Sequence, residues 1–439
     1  MEGWQRVSLV LCIFGFLKEF RPSEPFVFQF LTGPWHNVTV EQVVQDVFPI
    51  GTYSYVAQLV VVFLITDYFR YKPLIIVAGL AGTVVWCLFV WTSSLGALQI
   101  LEIFYGTYMA AEIAYWTYIY AKVDRKHYQK VTSHIRSATQ AGRFLAATIS
   151  QTVIYFKITD YLGLNYISLA AQLATTIWAF MLPSVPASMY FHHRETTLDE
   201  EIELKVGSPP ADVPKSTCSR ASTLLWNHFK SAYTNFTVIR YSLWYSLAVC
   251  LYYQITSYVQ ALWSEIGGPD TVLWNGAVEA ILTLMGSVVA LLAGYVPPRF
   301  LKLHTTILAL STIAILEGFG LLMATKTSNL TVSYVGYTLF GILHAFTITL
   351  VSSEIAKHIS DDSFALIFGI NTMVGLVSQT ILTIAVVDSD GWFALDIRGQ
   401  FTLYSYSFIA IGILFIVFLV IELCRVPTNS STKTTLTDK

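Results

Sequence analysis

Charge is what this sequence has least of. Of its 439 residues only 12% are Asp, Glu, Lys or Arg, against roughly 25% in a soluble chain. With a mean hydropathy of +0.57, that scarcity excludes an ordinary cytosolic enzyme. Cysteine is sparse too. Cys12, Cys87, Cys218, Cys250 and Cys424 are an odd set without paired spacing, so neither a disulfide framework nor a zinc site is expected. A net charge of −2 without a dense basic stripe gives no reason to expect nucleic acid as a partner. No phosphate-cradling loop, metalloprotease box or nucleophile elbow occurs, which argues against an ATP-driven motor and against an enzyme. No cofactor or metal is expected. The apolar run 7–17 is followed by Lys18, Glu19 and Arg21 rather than by small cleavage-site residues, so it reads as a retained span and not a signal peptide. No prenylation box or lipid-anchor tail is apparent.

What is present is apolar length. Hydrophobic residues make up 54% of the chain, with 28 Phe, 25 Tyr and 11 Trp. Spans of about 20 residues cross a bilayer. Twelve helices are expected near 7–32, 47–66, 73–93, 98–121, 137–157, 166–190, 241–263, 275–296, 304–324, 333–353, 364–387 and 401–424. The expected fold class is all-α, a polytopic membrane protein. One connection is long: residues 191–240 hold His192, His193, the acids Asp199, Glu200, Glu201 and Glu203, and Pro209, Pro210 and Pro214. That composition suits a solvated linker with little fixed structure. It divides the spans six and six, giving an N-terminal half (1–190), a linker (191–240), a C-terminal half (241–424) and a tail (425–439).

Most of the 26 Lys and Arg residues fall in alternate connections and at the termini, whereas the other connections hold only Lys326 and Arg398. Basic residues concentrate on the cytoplasmic side, so both termini and the linker are expected there. The sequons at Asn37 and Asn329 then face outward as candidate glycosylation sites, while those at Asn235 and Asn429 would be inside and unused. Two groups of six helices about a cytoplasmic linker are the layout of a major-facilitator carrier, whose halves rock about a midplane site. A scaffold or receptor with the same helix count is the other reading.

An ionisable group at bilayer depth costs at least ~2.5–3.5 kcal/mol on insertion scales, so each needs a partner or a task. Lys18, Glu19, Arg21, Glu24, Glu102, Glu112, Arg143, Glu279, Glu317 and His344 are the cases here. Pro22 and Pro25 interrupt the first span where charges cluster, and the apolar stretch 26–31 beyond favours a kinked span over an end at Phe20. In the fourth span Tyr108, Tyr115 and Trp116 lie at helical spacing from Glu112. A carboxylate among ring faces suits a flat organic cation; the alternative is an aromatic packing face with Glu112 paired internally, for instance to Arg143. Glu279, after Asn275, Gly276, Ala277 and Val278, is open as a ligand contact, a proton carrier or a helix lock. Glu317, with no polar partner in its own span, is structural or coupling. His344 can change charge near physiological pH or sit as a hydrogen-bonded core residue. Gln379, Thr380, Asn371 and Thr372 add uncharged polar groups of the kind that join helices.

At these residues the chain resembles the reduced folate carrier and thiamine transporter family, solute carrier family 19. The resemblance covers nearly all the spans. It rests on Arg21-Pro22-Ser23-Glu24-Pro25-Phe26, Tyr53-Ser54-Tyr55, Thr66-Asp67-Tyr68-Phe69-Arg70-Tyr71-Lys72-Pro73, Phe104-Tyr105-Gly106 and Ala110-Ala111-Glu112. His127-Tyr128-Gln129-Lys130-Val131, Leu164-Asn165-Tyr166-Ile167-Ser168-Leu169, Asn275-Gly276-Ala277 and Phe368-Gly369-Ile370-Asn371-Thr372 complete it. Thiamine-type members are similar to this chain in an acid at Glu112, an aromatic at Tyr115 and a glutamine at Gln379. Folate-type members carry basic residues at the positions of Glu112, Gly341 and Gln379. Three positions depart from the thiamine pattern: Gly51 stands where a stacking Trp is expected, Arg143 where an uncharged residue is, and His344 where an aromatic is.

The resemblance implies a secondary-active carrier for a water-soluble vitamin, working by alternating access in the plasma membrane. A cationic, thiamine-like substrate is preferred, with reduced folate the alternative and a non-transporting receptor or sensor the second. The expected partners are that vitamin, the lipid bilayer and a proton or organic-anion counter-substrate. Substrate is expected near Glu24, Tyr55, Glu112, Tyr115, Arg143, Asn275 and Gln379, with Glu112 as the charge contact and Tyr115 stacking. Coupling is expected at Glu279 or His344, and an inner gate at Asp67, Arg70 and Lys72.

Overall fold

The computed structural model describes residues 3–66, 69, 71–123, 127–184, 217–268, 271–293, 303–359, 363–388 and 391–425. Within them the regular structure is helical, and the first span is broken as expected. Helix α1 (Gly3–Glu19) stops before Pro22, a 3-10 turn (Glu24–Phe26) carries Pro25, and α2 (Val27–Leu31) resumes. Each proline lacks a donor, so an unbroken hydrogen-bond ladder cannot pass. A turn at Val40–Gln42 and a π-helical stretch (Val43–Val47) lead into α3 (Phe48–Thr66). Helix α4 (Lys72–Trp91) has Pro73 in its first turn, where a missing N–H forfeits nothing. The fourth span, expected whole, is two helices, α5 (Leu95–Ala110) and α6 (Glu112–Lys122), meeting at Ala111. Helices α7 (Tyr128–Tyr155) and α8 (Tyr161–Met181) complete the first group.

Helix α9 (Thr217–Thr234) corrects the expectation of a linker with little fixed structure up to residue 240; residues 191–216 lie outside the described ones. Its Trp226, Phe229 and Tyr233 recur at helical spacing, Trp226 stacked on Phe229 and Tyr233 tilted against it at 4.8 Å. The Tyr233 hydroxyl donates to Asn371 Oδ1 at 2.6 Å, which ties α9 to the second group. That group comprises α10 (Phe236–Gly267), α11 (Asn275–Ala293), α12 (Leu303–Lys326), α13 (Leu330–Ala356), α14 (Phe364–Val386) and α15 (Ile397–Arg425).

Among the described residues, 7 helices are long and apolar enough to cross a membrane on length and composition alone. The remaining span-like helices fall outside that set, and several of them turn polar groups inward: Lys18 and Glu19 on α1, Gln172 on α8 and Gln254 on α10 are all buried. Large apolar side chains instead lie outside, among them Leu80, Ile100, Ile177, Phe180, Leu291, Phe319 and Ile413. This inside-out arrangement marks a lipid-facing surface. The chain is a multi-pass membrane protein.

The two groups meet where α3 packs on α14 and α7 on α11. Near the helix break the junction is polar. Gln260 on α10 donates to Glu24 O (2.9 Å) and accepts from Phe28 N (3.1 Å). Asn275 donates to Pro25 O at 3.0 Å. Gln151 donates to Leu273 O (3.3 Å) and accepts from Ala277 N (3.2 Å). Elsewhere the α3–α14 contact is apolar, with Leu59 and Phe63 against Gly369, Ile370 and Met373. At Gly276 the helices touch through backbone: an added Cβ would lie 2.8 Å from Ala147 O and 2.7 Å from Ser150 Oγ. Gly276→Val is therefore expected to force the α7–α11 seam apart at a loss of about 1–3 kcal/mol. Thermal unfolding of the purified protein should show a lowered midpoint; an unchanged midpoint would contradict this packing.

Candidate functional site

The break in helix 1 builds the site. Glu24 N and Phe26 N close tight turns onto Arg21 O and Ser23 O. Ser23 is then fixed from two sides, accepting from Trp86 Nε1 at 2.9 Å and donating its backbone N–H to Ser168 Oγ at 3.0 Å. The chain held this way presents Lys18, Glu19, Arg21 and Glu24 to the interior of the bundle.

Glu19 sits at the centre. Its carboxylate receives Lys18 Nζ at 3.0 Å, Arg21 at 3.0 Å and Arg143 Nε at 2.5 Å. The two inner cations each reach a second acid, Lys18 to Glu112 at 3.2 Å and Arg21 to Glu24 at 3.0 Å. Tyr108 lies beneath both, its ring 4.9 Å from Lys18 Nζ and 5.6 Å from the Arg21 guanidinium, and its hydroxyl donates to Lys18 O. Exposure separates two classes of member. The side chains of Lys18 (2%), Glu19 (1%) and Arg21 (4%) are sealed, whereas those of Glu112 (20%), Glu24 (42%) and Arg143 (43%) are accessible. Buried charges are stable only when paired and hydrogen-bonded. The sealed members are the foundation, and the accessible ones form its rim.

Glu112 owes its place to the second break. It is the first residue of α6, where the helix N-terminus favours a negative charge. Trp116, one turn on, donates its indole N–H to Glu112 Oε1 at 3.1 Å. Tyr55 of α3 and Tyr253 of α10, one ring from each group, have Glu112 among their electrostatic neighbours. Glu24 accepts from the Tyr105 hydroxyl at 3.3 Å. The arrangement sets accessible carboxylates among aromatic side chains, which suits a planar cation.

The expected residues divide accordingly. Glu24, Tyr55, Glu112 and Arg143 are brought together. Arg143 does not pair with Glu112; it bonds Glu19, and Glu112 bonds Lys18. Tyr115 is a departure. Its ring packs on Phe14 at 5.0 Å, its hydroxyl donates to Leu11 O at 2.8 Å, and it is buried. Gly15 leaves the hollow that receives it, so Tyr115 braces α6 against α1 and Trp116 stands beside Glu112 instead. Asn275 is consumed by the junction, since its Oδ1 also accepts from the Tyr334 hydroxyl at 3.1 Å. Gln379 is buried on α14. Glu279, half-buried on α11, makes no hydrogen bond or ion pair among the described residues; its charged neighbours are Arg143, Glu24 and Arg21. His344 is buried in a stack on Tyr252, 4.3 Å away and 5° from parallel, with no hydrogen-bond partner at Nδ1 among the described residues.

Lys72 donates to Phe180 O at 3.0 Å, inside its own group of helices; Asp67 and Arg70 lie outside the described residues. Asn37 and Asn329 are exposed, the latter capping α13. Glu317 has a partner after all, the Thr347 hydroxyl of α13 at 3.2 Å. A Cβ at Gly51 would collide with the Glu102 carboxylate, so Glu102 fills the space in which a larger residue was expected. The structural roles of Lys18, Glu19, Tyr105 and Tyr253 went unassigned from sequence; the adjacent opposite charges at 18 and 19 were the available signal. A separate cavity of about 610 Å³, lined by Trp35, Ile154, Lys157, Thr159, Asp160 and Tyr161, includes none of these groups.

With this geometry in view, the reduced folate carrier family matches residues 2–403. The chain belongs to that family. Among similar proteins, human "Thiamine transporter 1" is 34% identical over 94% of this chain and 89% of its own length. "Folate transporter 1" of Caenorhabditis elegans is 35% identical over 99% of this chain and 96% of its own. Human "Thiamine transporter 2" is 33% identical over 94% and 90%. Solved structures give the fold. The POT family transporter PepTSo superposes with a TM-score of 0.69 at 11% identity, covering 96% of this chain and 99% of that one. The xylose transporter XylE from E. coli gives 0.62 at 12%, covering 99% and 100%. The fold is that of the major facilitators.

In this family member Glu19→Gln strips three cations of a shared partner, and breaking a buried pair costs about 3–5 kcal/mol. Glu24→Gln touches a half-exposed pair, worth about 0–1 kcal/mol. Thermal unfolding of the two purified variants should rank them in that order; similar small losses in both would contradict the foundation assigned to Glu19.

Proposed function

We propose that this chain is a secondary-active carrier moving a cationic water-soluble vitamin, thiamine or a close relative, across the plasma membrane. The observation that carries this is the accessible carboxylate of Glu112, set at a helix start among Trp116, Tyr55 and the rings of α10. Charge arithmetic supports it. Lys18, Arg21 and Arg143 face Glu19, Glu24, Glu112 and Glu279, one more acid than base. With all of them ionised the acids outnumber the bases by one, a sign that favours a cationic group in the substrate. Thiamine transport by the similar human proteins agrees with this sign. Reduced folate remains the second reading, favoured by the accessible Arg143 guanidinium and by the similarity to a nematode folate transporter.

Transport would proceed by rocking of a half over 1–190 against a half over 241–424, with the linker at 191–240, the tail at 425–439 and both termini cytoplasmic. The polar junction at Gln260, Asn275 and Gln151 would then be the outer closure that parts to admit substrate. Substrate entering beside Glu112 competes with Lys18, which keeps Glu19 as its other partner. Release of Glu112 from Lys18 therefore leaves no cation stranded. Glu279 and His344 are the candidate proton carriers for coupling, with exchange against an organic anion the other route.

Labelled thiamine uptake into cells expressing the chain should be saturable. Loss of a charged hydrogen-bonding contact weakens binding about 10- to 100-fold, so Glu112→Gln should raise KM by that factor while surface expression is retained. Undiminished thiamine uptake by the variant removes Glu112 from its role, and saturable folate uptake with none of thiamine refutes the cation reading.

A further inference from the structure

Arg143 differs from the other two cations of the network. Lys18 and Arg21 are sealed and each lies between two acids. Arg143 is nearly half accessible and spends only Nε on Glu19. A guanidinium carries five N–H donors, so both terminal nitrogens are without a partner among the described residues. Such a group inside a bundle is expensive to leave unused.

Its position is central rather than lipid-facing. Arg143 lies one turn before Ala147 on α7, and Ala147 meets Gly276 of α11 at the seam. Glu279 lies one turn after Gly276, so helical spacing brings Arg143 and Glu279 to the same level of the seam. Arg143 is a charge neighbour of Glu279, and the two form no ion pair among the described residues. Glu112 is a further charge neighbour of Arg143 in the first group, and Tyr252 and Tyr253 are neighbours in the second. Arg143 therefore has charged and aromatic neighbours in both groups, Glu112 among them.

We propose that Arg143 is a second, anion-taking pole of the substrate site, so that the site accepts an organic cation carrying an oxyanion arm, phosphate or carboxylate. The cationic ring occupies the Glu112 end and the arm takes the two free nitrogens of Arg143, whose planar fork matches either oxyanion in a bidentate contact. This rests on the cation reading of Glu112 and extends it from a monocation to a dipolar substrate.

The test is competition against labelled thiamine uptake, with thiamine monophosphate as the phosphate-bearing probe and N-methylnicotinate as the carboxylate-bearing one. In the unaltered protein at least one should compete, and which one identifies the arm. Arg143→Gln should raise the inhibition constant of that probe about 10- to 100-fold, a larger factor than it imposes on the thiamine KM. Arg143→Lys, which keeps the charge without the fork, should fall between and serves if the Gln variant does not reach the membrane. Two results overturn the proposal: neither probe competes, or Arg143→Gln weakens thiamine and both probes equally, as an internal brace to Glu19 and Glu279 would. If thiamine itself is not taken up, the cation reading fails separately. Thermal-shift titration of the purified protein and its Arg143→Gln variant with both probes then still decides whether Arg143 holds an oxyanion.

Discussion

Everything at the centre of this protein depends on how Glu19 is kept ionised in the interior. A lone carboxylate there is too costly to hold, and a single partner would leave lone pairs empty. Three cations share it instead, one on α1, one in the break after it and one on α7. Because Lys18 and Arg21 also reach outward to Glu112 and Glu24, the same arrangement fixes where the accessible carboxylates stand. The stable core and the reactive rim are thus one network, and neither can be altered without the other.

Two helix breaks make the network possible. Pro22 and Pro25 swing the chain so that Lys18, Glu19, Arg21 and Glu24, within one stretch of seven residues, serve different partners. The interruption at Ala111 starts a new helix at Glu112 and gives its carboxylate the favourable end of the dipole. Broken helices of this kind at bilayer depth are tolerated where they line a cavity. Here each break supplies one accessible acid, and an aromatic side chain donates to each, Tyr105 to Glu24 and Trp116 to Glu112.

Much of this was legible in the chain itself. Apolar length located the spans, proline placed the kink in the first span, and ionisable residues in apolar runs pointed to the residues of the charge network. Pairing was not legible, because it joins residues far apart: Arg143 and Glu19 are separated by 124 positions. Spacing gave Glu112 its aromatic neighbours but not their facing, so Tyr115 was expected at the ligand and is found against Phe14. The break at Ala111 had no proline to announce it. Gly51 read as a missing aromatic, and only the position of Glu102 explains what occupies its place. Helix α9 was hidden in a segment whose acidic and proline-rich beginning set the expectation for the whole.

The central claim is that Glu112 exchanges an internal cation for a substrate cation while Glu19 keeps the remaining charges in place. A cryo-electron microscopy structure of the protein with thiamine bound tests it most directly. The account predicts the thiamine ring between Glu112 and the tyrosines of α3 and α10, with Lys18 withdrawn onto Glu19 and the Glu19–Arg21 and Glu19–Arg143 pairs intact. Thiamine bound away from Glu112, with the Lys18–Glu112 pair unbroken, would contradict it.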